Sequence, residues 1–190
     1  MQFQFSEKKG IEALIYIASK WPGVSAFFAS QVLFFAEKKH LNRYARPIAG
    51  DTFIATPAGP VPSALGDFME RRFDQADDPD AIMAALVIGR NPYPGLRAKR
   101  QADGDVLSPS DVECLDEAIS FCRSRNFGVL SALTQQEKAW SSAPVDGPID
   151  YEHMIEGKAS KRYKASTHDK ASTRDEIVAE AQEFAAYGVL

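Results

Sequence analysis

Residues 25–73, SAFFASQVLFFAEKKHLNRYARPIAGDTFIATPAGPVPSALGDFMERRF, constrain the chain more than any other stretch. Apolar residues recur at Val24, Phe28, Val32 and Phe35, and again at Phe27, Phe34 and Leu41, which predicts one helix over 24–41. Two apolar stripes on one helix mean that it is enclosed on most sides, so the other elements must be laid around it. Lys38, Lys39 and His40 mark its end, where positive charge meets the negative end of the helix dipole. Arg46-Pro47 then breaks the helical path, because the Pro ring removes a backbone donor and moves its predecessor away from helical angles. Gly50-Asp51 reads as a turn, 52–56 as a short strand, and Gly59-Pro60-Val61-Pro62 as a rigid link into the next helix.

On either side of this stretch the pattern is mostly helical. Ser6 is placed to cap a first helix with Ile11, Leu14, Ile15 and Ala18 on one face, ended by Trp21-Pro22-Gly23. Leu65, Phe68, Met69 and Phe73 give a third helical stripe. Residues 74–80 are acidic and read as an exposed loop, whereas 81–87 fits either a short helix or a buried strand. Turn pairs at Asn91-Pro92 and Pro94-Gly95 allow 86–88 and 96–99 to pair as a hairpin.

Ser108-Pro109 opens a helix with a second cue in Ser110 and Glu113, and its core face is Val112, Leu115, Ile119 and Cys122. After the interruption at Asn126-Phe127-Gly128, Leu130, Leu133 and Trp140 share a face of a helix over 131–140. One turn is expected at 151–155. Lys-Ala-Ser then recurs at 158, 164 and 170, a linker-like repeat, before Thr173 and Glu176 at capping-box spacing open a closing helix with Ile177, Ala181 and Phe184 inward.

The expected fold is mainly α: a single compact helical domain of about seven helices with a small β-hairpin or short strands. Its expected divisions are a helical domain over 1–157, a basic linker over 158–172 and a C-terminal helix over 173–190, docked on the same domain. A chain of 190 residues with 45% hydrophobic and 25% charged residues suits one soluble domain. The longest apolar run, 24–36, is too short to span a bilayer, and no signal-peptide pattern opens the chain, so a cytoplasmic protein is expected. Cys114 and Cys122 lie on one expected helix, about 12 Å apart, too far to be bridged.

Signatures of catalysis are missing from the sequence. His40, His153 and His168 are scattered without metal-ligand spacing, and no phosphate loop, dinucleotide fingerprint or nucleophile elbow occurs. Neither a catalytic residue, a metal nor a cofactor is assigned, although distant segments could bring His40, Asp51 and Cys122 together. Arg46 and Asp51 read as a charge pair across their turn. Residues 158–170 hold five basic residues against one Asp169, so the rest of the chain is more acidic than the net charge of −4. Lys161, Arg162, Tyr163 and Lys164 there could lie on phosphates and stack a base, which makes a nucleic-acid-binding regulator the alternative function.

Leu33-Phe34-Phe35-Ala36-Glu37, His40-Leu41, Arg46, Pro47, Ile48, Gly50, Asp51 and the Gly59, Pro60, Val61, Pro62, Ser63 run, taken in order, resemble the Panacea domain, also called SocA-like. Residues 130–140, ending at Trp140, and Pro148-Ile149-Asp150-Tyr151 resemble its later part. The resemblance implies an antitoxin without enzymatic activity, a bacterial or phage protein that blocks a cognate toxin by direct contact. Some members also deliver the toxin to a Clp-type protease. No membrane partner is implied, and the motif residues are expected either to hold the fold or to touch the toxin. Two positions depart from the family's habit: Ala45 stands where glycine is frequent, and Gln135 where histidine is frequent.

Overall fold

The computed structural model describes residues 1–89, 95–156 and 173–187. Its elements are α1 (Glu7–Lys20), β1 (Val24–Ser25), α2 (Ala26–Tyr44), β2 (Phe53–Thr56), β3 (Gly59–Pro62), α3 (Ser63–Met69), α4 (Pro79–Ala85), β4 (Leu86–Ile88), β5 (Gly95–Ala98), α5 (Pro109–Arg123), α6 (Phe127–Gln135), α7 (Lys138–Ser141), a 3-10 turn at Tyr151–Met154, and α8 (Arg174–Tyr187). The architecture is mainly α with two small antiparallel sheets. The double stripe of α2 is explained by its position: every residue from Ala29 to Glu37 is buried, and α1, α3, α5, α8 and β3 surround it. Among the described residues no helix is long and apolar enough to cross a membrane.

Helix α2 starts two residues later than its periodicity predicts. Val24 and Ser25 pair with Leu96 and Gly95 as β1, and the Gly23 amide donates to the Leu96 carbonyl at 2.7 Å. Ser25 then caps α2, its Oγ accepting from the Phe28 amide at 3.4 Å. The apolar pattern persists through Val24 because that side chain is buried in β1 as well, so the pattern alone does not mark the change from strand to helix.

The Gly59-Pro60-Val61-Pro62 segment is a strand rather than a link. It pairs with β2 in the register Phe53↔Pro62, Ile54↔Val61, Ala55↔Pro60, Thr56↔Gly59. Prolines are tolerated because Phe53 and Ala55, opposite them, turn their backbone groups the other way. Ala55 exchanges hydrogen bonds with Gly147 and Asp146, and the Phe53 carbonyl accepts from Ile149. The missing Pro60 and Pro62 amides therefore fall where this ladder needs no donor.

Both readings of 81–87 occur in succession, as α4 ends at Ala85 and β4 begins at Leu86. Asp78 caps α4, and the expected hairpin is present with Val87 opposite Arg97. At α5 the capping box uses Ser108 and Asp111, not Ser110 and Glu113. The helix expected over 131–140 is broken: α6 ends at Gln135 and Glu137 is extended before α7. Cys114 and Cys122 are free and buried in α5, and burial pushes both thiols up to about 12.

Thr173 and Glu176 form the expected reciprocal cap of α8, at 2.8 and 3.3 Å. That helix buries Ile177 and Ala181, and its Phe184 ring lies 6.3 Å from Phe3.

Phe34 is fully buried and meets the Phe35 and Phe53 rings edge-on, with centroids 5.5 and 5.6 Å away. Phe34→Ala is expected to cost about 3–5 kcal/mol of unfolding free energy, measured by denaturant titration.

Candidate functional site

The motif residues converge where the chain leaves α2. Ala45 ends that helix in the left-handed conformation, φ 54°, with its amide bonded to the Leu41 carbonyl. Glycine is the usual residue at such a terminus, because it takes the left-handed conformation without strain. Residues 48–50 then fold back over the side chain of Glu37. Its carboxylate accepts from the amides of Ile48 at 2.6 Å, Ala49 at 2.8 Å and Gly50 at 3.2 Å. Gly50 takes φ 73°, an angle that glycine adopts without strain. Burial raises the Glu37 pKa, with the backbone donors and His40 opposing that rise.

The expected Arg46–Asp51 pair does not form, because each side chain has a better partner. Asp51, 3% exposed, accepts from the amides of Ala64 at 3.1 Å and Leu65 at 2.9 Å. It thereby caps α3, whose flanking Pro62 has no side-chain oxygen to do so. The Asp51 carbonyl in turn accepts from the Tyr151 hydroxyl at 2.7 Å. Burial pushes the Asp51 carboxyl up to about 6 against the pull of its backbone donors.

Arg46 instead reaches α5, lying 3.5 Å from Asp111 and 3.4 Å from both Ser108 and Ser110. Asp111 also receives Lys9 of α1 and Nε2 of His40, each at 3.0 Å. Nδ1 of His40 donates to the Arg46 carbonyl at 2.8 Å. Nε2 also lies 3.0 Å from the Ser110 hydroxyl, so both ring nitrogens of His40 have polar partners. Burial would raise the Asp111 pKa, but the bonds from His40 and Ser108 and the charge of Lys9 hold it well below the usual carboxylate range. His40 is thus a fully buried strut between α2, the 46–47 turn and α5, and it does not share partners with Asp51.

The β2–β3 hairpin closes the far side. Gly59 has φ 135°, and a Cβ there would lie 2.8 Å from Gln31 Nε2 and 3.1 Å from Thr134 Oγ1. Gln31 donates weakly to the Pro60 carbonyl at 3.5 Å, while its Oε1 has no partner among the described residues. Two later residues hold the hairpin tip: Trp140 donates to the Thr56 carbonyl at 3.0 Å, and Gln135 to that of Pro57 at 2.9 Å. The break between α6 and α7 lets one short segment carry both donors. Val61 packs over α3, close to Gly66, and Pro47 and Pro60 are buried.

Sequence reasoning missed Glu37, Lys9, Ser108 and Asp111 as members of this network. Lys161, Arg162, Tyr163 and Lys164 lie outside the described residues. Among the described residues no three His, Cys, Asp or Glu side chains are grouped to hold a metal. A groove of ≈ 320 Å³ runs beside α2, lined in part by Phe35, Lys38, Asn42 and Phe121, and neither His40 nor Asp51 lines it. The motif carboxylates and the imidazole are engaged with backbone and with one another, an arrangement suited to holding shape.

Glu37→Ala leaves three neighbouring amides without their acceptor and is expected to cost at least about 3 kcal/mol in a denaturant titration, at about 1–3 kcal/mol for each buried donor left unpaired. The pH response has a defined sign. Because folding raises the Asp51 pKa from an ordinary 3.8 to about 6, its contribution is fully present below about pH 4 and is lost as pH rises through about 6. Asp111 works oppositely: its contribution is present above pH 3.8 and lost as pH falls below that value. Between about pH 4 and 6.5 the Asp51 effect dominates the pair, amounting to as much as about 3 kcal/mol. Asp51→Asn is therefore expected to flatten the fall in unfolding free energy across that window, leaving the part owed to Glu37.

Comparison with known proteins bears on the same segment. The family model described as "Antitoxin SocA-like, Panacea domain" matches residues 31–141, from Gln31 in α2 to Ser141 at the end of α7. No curated protein and no solved structure matches the chain. The matched span covers more than half of the sequence and contains Glu37, Arg46, Asp51, the hairpin, Asp111 and Trp140. The chain therefore belongs to the antitoxin SocA-like, Panacea domain family.

Proposed function

We propose that this protein is the antitoxin of a toxin–antitoxin pair and neutralises its toxin by direct protein–protein contact. The observation that carries the reading is the family match, which spans the whole Glu37-to-Trp140 network. The network itself is consistent with a binding module, since its polar groups tie α2, α5 and the hairpin into one support. A rigid support keeps the ordering entropy of a docking surface low when a partner arrives. Specificity in such a protein belongs on exposed segments, where side chains change without disturbing the core. Residues 74–80 and 103–106 of this chain are surfaces of that kind.

Co-expression tests the proposal. A small protein encoded beside this chain is expected to arrest growth when expressed alone, with growth restored and a stoichiometric complex recovered when this chain is present. If none of its encoded neighbours arrests growth, or if arrest persists with this chain abundant, the antitoxin reading fails. Toxin that stays intact while neutralised assigns blocking by contact. Toxin that disappears only while a Clp protease is active assigns delivery for degradation.

A further inference from the structure

One end of the molecule combines features that the network above does not use. Asn126 caps α6, its side chain accepting from the Val129 amide at 3.0 Å, and this geometry projects Phe127 from the first turn of the helix. Phe127 is 53% exposed and Val129 45% exposed, and what sets them apart from other exposed apolar side chains is that Phe127 continues a run of rings. Phe127 is also the outermost of four touching rings. Its centroid is 4.4 Å from Phe27, which is 5.2 Å from Phe28, itself 5.2 Å from Trp21. These half-buried rings form a strip across the start of α2 and the end of α1.

Cations border the strip. The Arg123 guanidinium stands over the Trp21 ring at 5.9 Å, Arg125 over Phe121 at 3.7 Å, and the Lys20 ammonium over Tyr16 at 5.2 Å. Beyond Trp21, an open cleft of ≈ 480 Å³ is lined in part by Pro22, Arg97, Lys99 and Arg100. Arg100 is paired with Glu12, but among the described residues Lys20, Arg97, Lys99, Arg123 and Arg125 have no carboxylate partner. Elsewhere among the described residues most cations are paired, as Lys38, Lys39, Arg43, Arg46, Arg72 and Arg174 are. The cause is visible in the sequence: no Asp or Glu occurs in 20–36, 81–102 or 118–136, although the whole chain is acidic. The fold brings Lys20, Arg97, Lys99, Arg123 and Arg125, which come from these three stretches, to one end.

We infer that this aromatic strip and its basic border form a docking surface for an acidic segment of a partner protein, one that carries apolar side chains between its carboxylates. The inference deepens the antitoxin reading by naming a face and the chemistry of what it takes. Exposed rings offer apolar area at low entropic cost, and cations already held over rings await opposite charge. Aromatic and basic groups together also describe a single-stranded nucleic-acid platform, which needs open ring faces for bases to stack on. Here the rings lean on one another at 44–79°, and the Trp21, Phe121 and Tyr16 faces are occupied by cations. A protein segment needs no stacking plane, so the geometry favours it.

The test uses the full chain and needs no toxin. Random peptides displayed on phage are selected against the immobilised protein, and selected peptides are assayed by fluorescence polarisation, with labelled oligo-deoxythymidine in parallel. Peptides combining Asp or Glu with aromatic or aliphatic residues are expected to be enriched. Their affinity should fall by about tenfold or more with Arg123→Glu/Arg125→Glu and with Phe127→Ala, and should be unchanged with Lys8→Glu, an exposed control. Arg123→Lys, which keeps the charge, should retain most binding, and melting curves establish that each variant folds. Selection without an acidic bias, or binding indifferent to these substitutions, overturns the inference. So does tight oligo-deoxythymidine binding abolished by the same changes, which would assign the face to nucleic acid. In the growth assay, rescue by the Arg123→Glu/Arg125→Glu protein as full as by the unaltered chain would remove this face and leave the antitoxin reading standing. Absence of rescue by the unaltered chain would remove that reading instead.

Discussion

The acceptance of three successive backbone amides by the single carboxylate of Glu37 organises the structure around α2. A helix that ends inside a protein leaves a chain that must turn sharply without stranding its polar groups. Here the anion comes from the helix itself, and the Ile48, Ala49 and Gly50 amides wrap over it. Asp51 repeats the device one residue later, turning its carboxylate towards the start of α3. Two buried carboxylates thus fix the two ends of this passage, Glu37 the turn at 48–50 and Asp51 the start of α3. Backbone dipoles oppose the desolvation of each carboxylate where it arises, although burial still prevails and raises both pKa values.

A second anchor explains how the remote half of the chain is registered on the first. Asp111, at the start of α5, gathers Lys9 from α1, His40 from α2 and Arg46 from the turn. Because one carboxylate answers to three elements, α5 cannot slide along α2 without giving up several charged contacts together. Stiffness inside and variability outside are compatible in such a molecule. Exposed segments such as 74–80 can change without touching the polar network that sets the shape.

Local signals in the sequence matched local structure well. The reciprocal pair Thr173 and Glu176, the proline opening of α5 and the β4–β5 hairpin each depend on near neighbours, and each is present. The α5 cap failed locally, by two residues, but the larger failures share one cause, a partner distant in sequence. Val24 continues an apolar stripe yet pairs with Leu96, and Gly59–Pro62 reads as a stiff link yet pairs with β2. Arg46 and Asp51 look complementary at short range, but Asp111 and the α3 amides compete for them. Glu37 belongs to the motif, but its role as acceptor for the 48–50 amides is not legible, because a glutamate beside two lysines resembles an exposed helical face. In the sequence Phe127 reads only as part of a helix interruption; its ring contact is with Phe27, far away along the chain.

Position 59 shows how two constraints can fix one residue. A side chain there meets both an unfavourable backbone angle and the Gln31 amide beneath it. Shortening Gln31 would relieve the nearer contact but leave Thr134 Oγ1 at 3.1 Å, and the angle would persist, because it is imposed by the hairpin and not by the glutamine. The two penalties therefore have separate remedies, and no single compensating substitution supplies both. In an evolving lineage such a glycine behaves as a dead end for stepwise exchange. The hairpin tip can be rebuilt only as a unit, together with the Trp140 and Gln135 donors that hold it.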